Sequence, residues 1–273
     1  MSLRAPEPSC DSPLSPTISS PAHGAFILPE TRDGSEFTLL SMNIQNRGYE
    51  TGYPANRMAC LSRIAEKVDI TALQEDFQSG PQPRGLSRQS PGRVLAPSML
   101  FSGNTSGLTL LSRTKPKQMT FRAYGACNGW LPDRGKGDCW ARKGVQTATL
   151  DAFAAVNIHG EAGRTRRDEE TRARQLLNMT LPLTGNLVIS GDFNLSTASK
   201  TDEETLATLT RKYNLTIYYR SASKNGKDMI LGRGLELVGT GVVPKEGLSD
   251  HDGLIARFRI PSRTAARPAP PMG

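Results

Sequence analysis

Residues 187–194 read LVISGDFN, a short apolar run that stops abruptly at Asp192 and Asn194. The same design recurs along the chain. FTLLSMN (37–43) ends on Asn43, ITALQ (70–74) delivers Glu75, and FAAVNI (153–158) runs into His159. Asp250 and His251 stand just before the last such run, LIARF (254–258). Brief apolar runs with polar boundaries read as buried strands. Strands that stop at one edge of a sheet bring their ends together, so residues distant in sequence can share a site there. Residues 108–111, 145–150 and 229–231 continue the strand series. Residues 56–68 place Met58, Leu61, Ile64, Ala65 and Val68 on one helical face, with Asn56 as a cap, and residues 168–179 are helical in composition. Strands and helices alternate irregularly, as in a mixed α and β domain.

The 273 residues suffice to bury one large core, and 37% hydrophobic with 22% charged residues describes an ordinary globule. No run of about 18 apolar residues is present, as a membrane-spanning helix would need. The first residues lack a basic start followed by an apolar stretch, so no secretory signal is visible and the compartment stays open. Residues 1–30, rich in Ser and Pro, read as a flexible leader, and 262–273 as a flexible tail. Residues 31–261 then form one catalytic domain, expected to act as a soluble monomer. A net charge of +8 suits a polyanionic partner, either nucleic acid or an anionic lipid surface, and equally suits mere solubility. Four cysteines without CxxC spacing argue against zinc. Cys127 and Cys139 flank one Gly-, Asp- and Lys-rich loop, where a disulfide is geometrically plausible.

Hydrolysis of a phosphodiester needs a metal to offset phosphate charge, a base to activate water and an acid for the leaving oxygen. Glu75 with nearby Asn43 offers oxygen ligands suited to Mg2+, Mn2+ or Ca2+. His251 is the natural water activator, its ring oriented by Asp192, Asp228 or Asp250. Asn194 offers an amide to a phosphate oxygen, and His159 stands ready to protonate the departing alkoxide. Each residue alone has a plainer reading. A glutamate after a strand is commonly a solvated turn residue, GDFN is turn-forming, SDH serves as a cap, and a lone histidine is usually structural.

Taken in order, SMNIQN (41–46), LQE (73–75), NIH (157–159), GDFN (191–194), KDMIL (227–231) and LSDH (248–251) resemble the endonuclease/exonuclease/phosphatase superfamily, which includes deoxyribonuclease I and neutral sphingomyelinases. The resemblance spans residues 37–258. It implies a four-layer αββα sandwich, two mixed β-sheets packed face to face and flanked by helices, with the site at one end. It further implies that Glu75 holds the metal with Asn43 beside it and Asp250 on the metal side. Asp192 and Asn194 would position water and phosphate, Asp228 would orient the base His251, and His159 would assist the leaving group. Two departures stand out. Gln45 replaces the Asp of abasic-site endonucleases, and Lys227-Asp228 replaces the commoner Ile-Asp.

For the substrate the signals divide. DCWARKGVQTATL (138–150) and NIHGEAGRTRRDEETRARQL (157–176) resemble segments of secreted sphingomyelinase-like members, with Lys143 a substrate contact or simply part of a turn. Arg84, Arg88 and Arg93 in one long loop, with Arg164, Arg166 and Arg167 after His159, suit a phosphate-tracking groove. The last three could instead pair with Asp168, Glu169 and Glu170. No aromatic, apolar hairpin of a bilayer-dipping kind is evident. The expectation leans toward a nucleic-acid endonuclease, with a sphingomyelinase or phospholipase C-type diesterase as the alternative. A non-catalytic phosphate-binding relative is a third reading, which the full set of acid, base and ligand residues disfavours.

Overall fold

The computed structural model describes residues 35–46, 57–77, 92–95, 106–129 and 138–261. The leader, the tail, Cys10, Arg84 and Arg88 lie outside the described residues, as does the side chain of Arg93. One sheet runs β11 (Glu236–Val243), β12 (Gly253–Arg259), β1 (Glu36–Asn46), β2 (Ile70–Asp76), β4 (Thr109–Ser112), β3 (Gly92–Leu95). The other runs β5 (Gln118–Ala123), β6 (Gly144–Thr149), β7 (Ala154–His159), β8 (Leu187–Asp192), β10 (Asp228–Arg233), β9 (Thr216–Arg220). Each is mixed and has one parallel pair at its heart, β1 with β2 and β7 with β8. Parallel neighbours end on the same edge, and this is how Asn43, Glu75, His159 and Asp192 come to lie at strand ends.

Period-two alternation splits the apolar residues into three layers. Phe37, Leu39, Ile70 and Ala72 of the first sheet meet Ala148, Ala155, Val188 and Ile230 of the second, forming the layer between the sheets. The alternate residues Leu40, Met42 and Ile44 face outward and are covered by Cys60, Leu61 and Ile64 of α1 (Arg57–Ala65). Val156, Ile158, Leu187, Ile189, Met229 and Leu231 are covered by α2 (Arg166–Leu177) and α3 (Lys200–Tyr213) through Leu176, Leu206, Leu209 and Tyr213. The result is the expected αββα sandwich.

Followed toward the site, the layer between the sheets changes character. Beyond the apolar residues come Ser41, Gln74, Gln146, Asn157 and Ser190, all buried. Gln74 Nε2 donates to Asn157 Oδ1 at 2.7 Å, and Asn157 Nδ2 donates to the carbonyls of Leu73 and Thr109 at 2.9 and 3.1 Å. These bonds tie the sheets together with neutral amides, as burial of polar groups demands. One residue further along each strand face stand Asn43, His159, Asp192 and Asp228. Behind the second sheet, buried Arg172 on α2 forms a two-pronged ion pair with buried Asp202 on α3, at 3.0 Å on each prong.

Candidate active site

Strand register builds half of the site directly. His159 of β7 is paired with Asp192 of β8, and Asp192 with Asp228 of β10, so three functional groups occupy one rung and one face. Gly191 permits this close spacing. Its φ is 147°, and a Cβ there would lie 2.0 Å from the Ile158 carbonyl. The first sheet brings Asn43, whose Nδ2 donates to Glu75 Oε1 at 3.0 Å and to Asp192 Oδ2 at 3.2 Å. Glu75 and Asn194 both hold a φ of 55°, a left-handed backbone at the two strand ends. His251 enters from the loop before β12. Its loop is anchored where Ser249 Oγ donates to the Asn43 carbonyl at 2.5 Å.

His251 is held by one side and open on the other. Its Nδ1 lies 2.8 Å from Asp228 Oδ2, while Nε2 lies 3.9 Å from Asp192 Oδ2 and 4.0 Å from Asp250 Oδ1. Burial alone would lower its pKa, but the Asp228 bond and the charges of Asp192, Asp228 and Asp250 raise it to about 9. Burial, then repulsion from Asp192, pushes Asp228 up to about 6. The pair therefore keeps one proton at neutral pH, and it resides on His251. Asp192 goes the other way: burial opposes its ionisation, but His251, Lys227 and Lys143 outweigh it and hold the carboxyl near 2.

His159 is 2% exposed, and neither ring nitrogen has a hydrogen-bond partner. Its Nε2 lies 3.9 Å from both Glu75 Oε1 and Asp192 Oδ2. Burial, then the Lys143 ammonium, depresses its pKa to about 4. A neutral imidazole has no surplus proton at neutral pH, so the expected role of leaving-group acid meets a physical obstacle here. The carboxylates of Glu75 and Asp192, bridged by the Asn43 amide, offer the oxygen donors that a hard divalent cation prefers, and the unpartnered His159 nitrogen lies beside them. Asp192, Asp228 and His251 also bring ligand atoms within 4.8 Å of one another. There Nδ1 is already engaged by Asp228, so that trio is better described as an oriented histidine than as a ligand cage.

Not every expected residue stands at the Asn43–Glu75 pair. Asp250 contacts Lys224 at 2.7 Å and the open side of His251, at the rim, rather than the Asn43–Glu75 pair. Lys143 turns its ammonium inward. It is buried and bound to Asp138 Oδ2 and the Gly160 carbonyl, each at 2.8 Å. Arg164 is exposed on the loop before α2, Arg166 pairs with Glu170 at 2.9 Å, and Asp168 closes a capping box with Thr165. Asn194 joins the site: Nδ2 donates to Gly160 O at 3.1 Å and Oδ1 accepts from Lys227 Nζ at 3.2 Å.

Cys127 and Cys139 are joined, with Cα atoms 5.2 Å apart. Their neighbours brace the loop after His159. Asn128 N donates to Glu161 Oε1 at 3.0 Å, and Asp138 Oδ2 accepts from Ala162 N at 2.5 Å. The sequence reading missed Asp138, Ser249 and Lys227 as parts of the site. A carboxylate five residues before Lys143 was the signal available for the first.

The model of the endonuclease/exonuclease/phosphatase family matches residues 40–251. The fold is similar to that of an endonuclease/exonuclease/phosphatase protein from Beutenbergia cavernae, at 15% identity and a TM-score of 0.62 over 83% of this chain and 72% of that one. It is similar to sphingomyelinase C from Streptomyces griseocarneus, at 15% and 0.57 over 81% and 99%. A beta toxin mutant from Staphylococcus aureus with bound magnesium ions aligns at 14% and 0.57 over 83% and 100%. Such identities carry the fold alone. No curated protein sequence matches the chain.

Proposed function

Since the chain belongs to the endonuclease/exonuclease/phosphatase family, we propose that it is a metal-dependent phosphodiesterase with His251 as its proton-handling group and nucleic acid as its substrate. The observation that carries this reading is the unbroken series Asp228–His251–Asp192–Asn43–Glu75, each member within 4 Å of the next. Asp228 fixes the His251 ring and leaves Nε2 facing the space beside Asp192, where an attacking water would lose its proton. Glu75 and Asp192 would hold a divalent cation, Mg2+ first among the candidates, with Asn43 bridging the two acids and His159 beside them. Such a cation would offset phosphate charge and weaken the negative field that keeps His251 protonated. The second amide hydrogen of Asn194 is available to a phosphoryl oxygen. Neutral His159 can donate a hydrogen bond without giving up a proton.

The lean toward nucleic acid is supported by the net charge of +8. Among the described residues the exposed large apolar side chains are Leu183, on the loop before β8, and Ile217, on β9. No helix among the described residues is long and apolar enough to cross a membrane. The second reading, a sphingomyelinase, is favoured by DCWARKG and by the similar folds. Plasmid DNA, RNA, sphingomyelin and a phosphoinositide, each with Mg2+ or with EDTA, separate the readings. Nucleic-acid cleavage that requires metal and falls steeply as salt rises is the expected result. Sphingomyelin turnover beside inert DNA and RNA would reverse the substrate, and inertness on all four would leave a phosphate binder.

A further inference from the structure

The residue before Asp228 is a cation at a position where the family resemblance leads one to expect isoleucine. Its backbone is firmly placed. The Lys227 carbonyl accepts the Phe193 N–H at 2.9 Å, prolonging the β8–β10 ladder by one rung. The turn leading into it carries positive φ at Lys224, Asn225 and Gly226, of 51°, 57° and 71°. That turn is fastened by Thr197 N to Asn225 O at 2.9 Å and by Arg220 Nε to Gly226 O at 2.8 Å.

The ammonium is thereby delivered to the site, 3.2 Å from Asn194 Oδ1. Its situation differs from that of the neighbouring lysines. Lys143 is ion-paired with Asp138 and Lys224 with Asp250, at 2.8 and 2.7 Å. Among the described residues Lys227 has no carboxylate within ion-pair distance, and its one hydrogen-bond partner is a neutral amide oxygen. Two of its three N–H groups are left for another acceptor. Glu75, Asp192, Asp228 and Asp250 all lie nearby and would repel an incoming phosphate. A half-buried ammonium with no carboxylate directly paired to it opposes that repulsion, and there a charge counts for more than in open water.

We propose that Lys227 is a specificity-determining residue whose ammonium binds a nonbridging phosphoryl oxygen of the scissile diester and selects anionic diesters over zwitterionic choline phosphodiesters. The proposal rests on the phosphodiesterase reading above. The physical reason is charge: a nucleotide diester brings only negative charge to the ammonium, whereas phosphocholine brings its own quaternary cation next to the phosphate.

The test uses two chromogenic diesters with the same leaving group, thymidine 5′-(p-nitrophenyl phosphate) and p-nitrophenylphosphorylcholine, on the full chain with Mg2+. Lys227→Met should lower the nucleotide-over-choline ratio of kcat/KM by about tenfold or more, with the loss on the nucleotide ester appearing chiefly in KM. Lys227→Arg, which keeps the charge, should restore most of that ratio, and both variants should melt with the wild type. Equal losses on both esters, a choline ester preferred by the wild type, or failure of arginine to rescue would each overturn the assignment while leaving the phosphodiesterase reading intact. Wild type inert toward both esters would overturn that reading, and the role of Lys227 with it.

Discussion

Replacing Asp228 by Asn tests the centre of the mechanism, because it removes a charge while keeping an oxygen for His251 Nδ1. The ring, buried and 2.8 Å from Asp228, has its pKa raised from 6.5 to about 9. At about 1.4 kcal/mol per unit, that shift represents roughly 3 kcal/mol from all three carboxylates net of burial. Asp228 is both the hydrogen-bonded partner and one of the charges, so Asp228→Asn should bring His251 down by about 1.5 units, or ~2 kcal/mol. The sign for stability follows from linkage. A histidine with a raised folded pKa stabilises the fold fully below about 6.5 and loses that contribution as pH rises through 9. The wild type should therefore lose stability from this group between those limits, and Asp228→Asn should lose less. NMR titration of the His251 ring in the metal-free protein, with urea unfolding at the two pH limits, reads both effects. Turnover should fall by about 10²–10⁴, since the ring loses its orientation and tautomer. An unchanged His251 pKa with most activity retained would mean that Asp228 neither orients nor charges the base.

Asn157→Ala should destabilise by about 3 kcal/mol in urea unfolding, because it removes the shortest bond of Gln74 Nε2 and the side-chain donor to the Leu73 and Thr109 carbonyls between the sheets. Arg172→Met leaves Asp202 buried without its cation and should cost about 3–5 kcal/mol, partly recovered when Asp202 is also made apolar. Replacing Cys127 and Cys139 together by serine releases a loop of sequence separation 12 and should lower stability by about 2–3 kcal/mol, measured as a drop in melting temperature against the wild type.

The central strands were legible because two sheet neighbours and two covering layers make them apolar throughout; LVIS, FTLLSMN and ITALQ are of this kind. Edge strands were not. β5 alternates exposed and half-buried residues, and β11 carries Gly239 and Gly241 beside a register shift. Neither has the apolar density that marks a strand in isolation. α3 was missed although Ser199 caps it and Asp202 and Glu203 fill its first turn. Thr201, Thr205, Thr208 and Thr210 dilute its apolar stripe, which reduces to Leu206, Leu209 and Tyr213. Site residues were legible where they terminate apolar runs. Asp138, Lys143 and Lys227 were harder because their roles depend on which neighbour receives the charge. Spacing alone does not say that Lys143 turns inward to Asp138 and Gly160 whereas Lys227 reaches Asn194.

That difference explains why the site can hold so many acids. Glu75, Asp192, Asp228 and Asp250 crowd one end of the layer between the sheets, and carboxylates in such proximity raise one another's pKa unless something opposes them. Three oppositions are built in. The Asn43 amide is shared between Glu75 and Asp192, protonated His251 sits between Asp228 and Asp192, and Lys224 takes Asp250. Lys227 then adds a charge that depresses Asp192 without being consumed by it. Asp192 is the acid that Asn43, His159, His251 and Lys227 all act on, and it is also the residue in register with both His159 and Asp228. Its position in GDFN follows from this. Gly191 lets β8 approach β7, Asp192 takes the central rung, and the left-handed Asn194 turns the chain back toward Gly160 and Lys227. A substitution at any of the three would shift the strand end and the charge balance together.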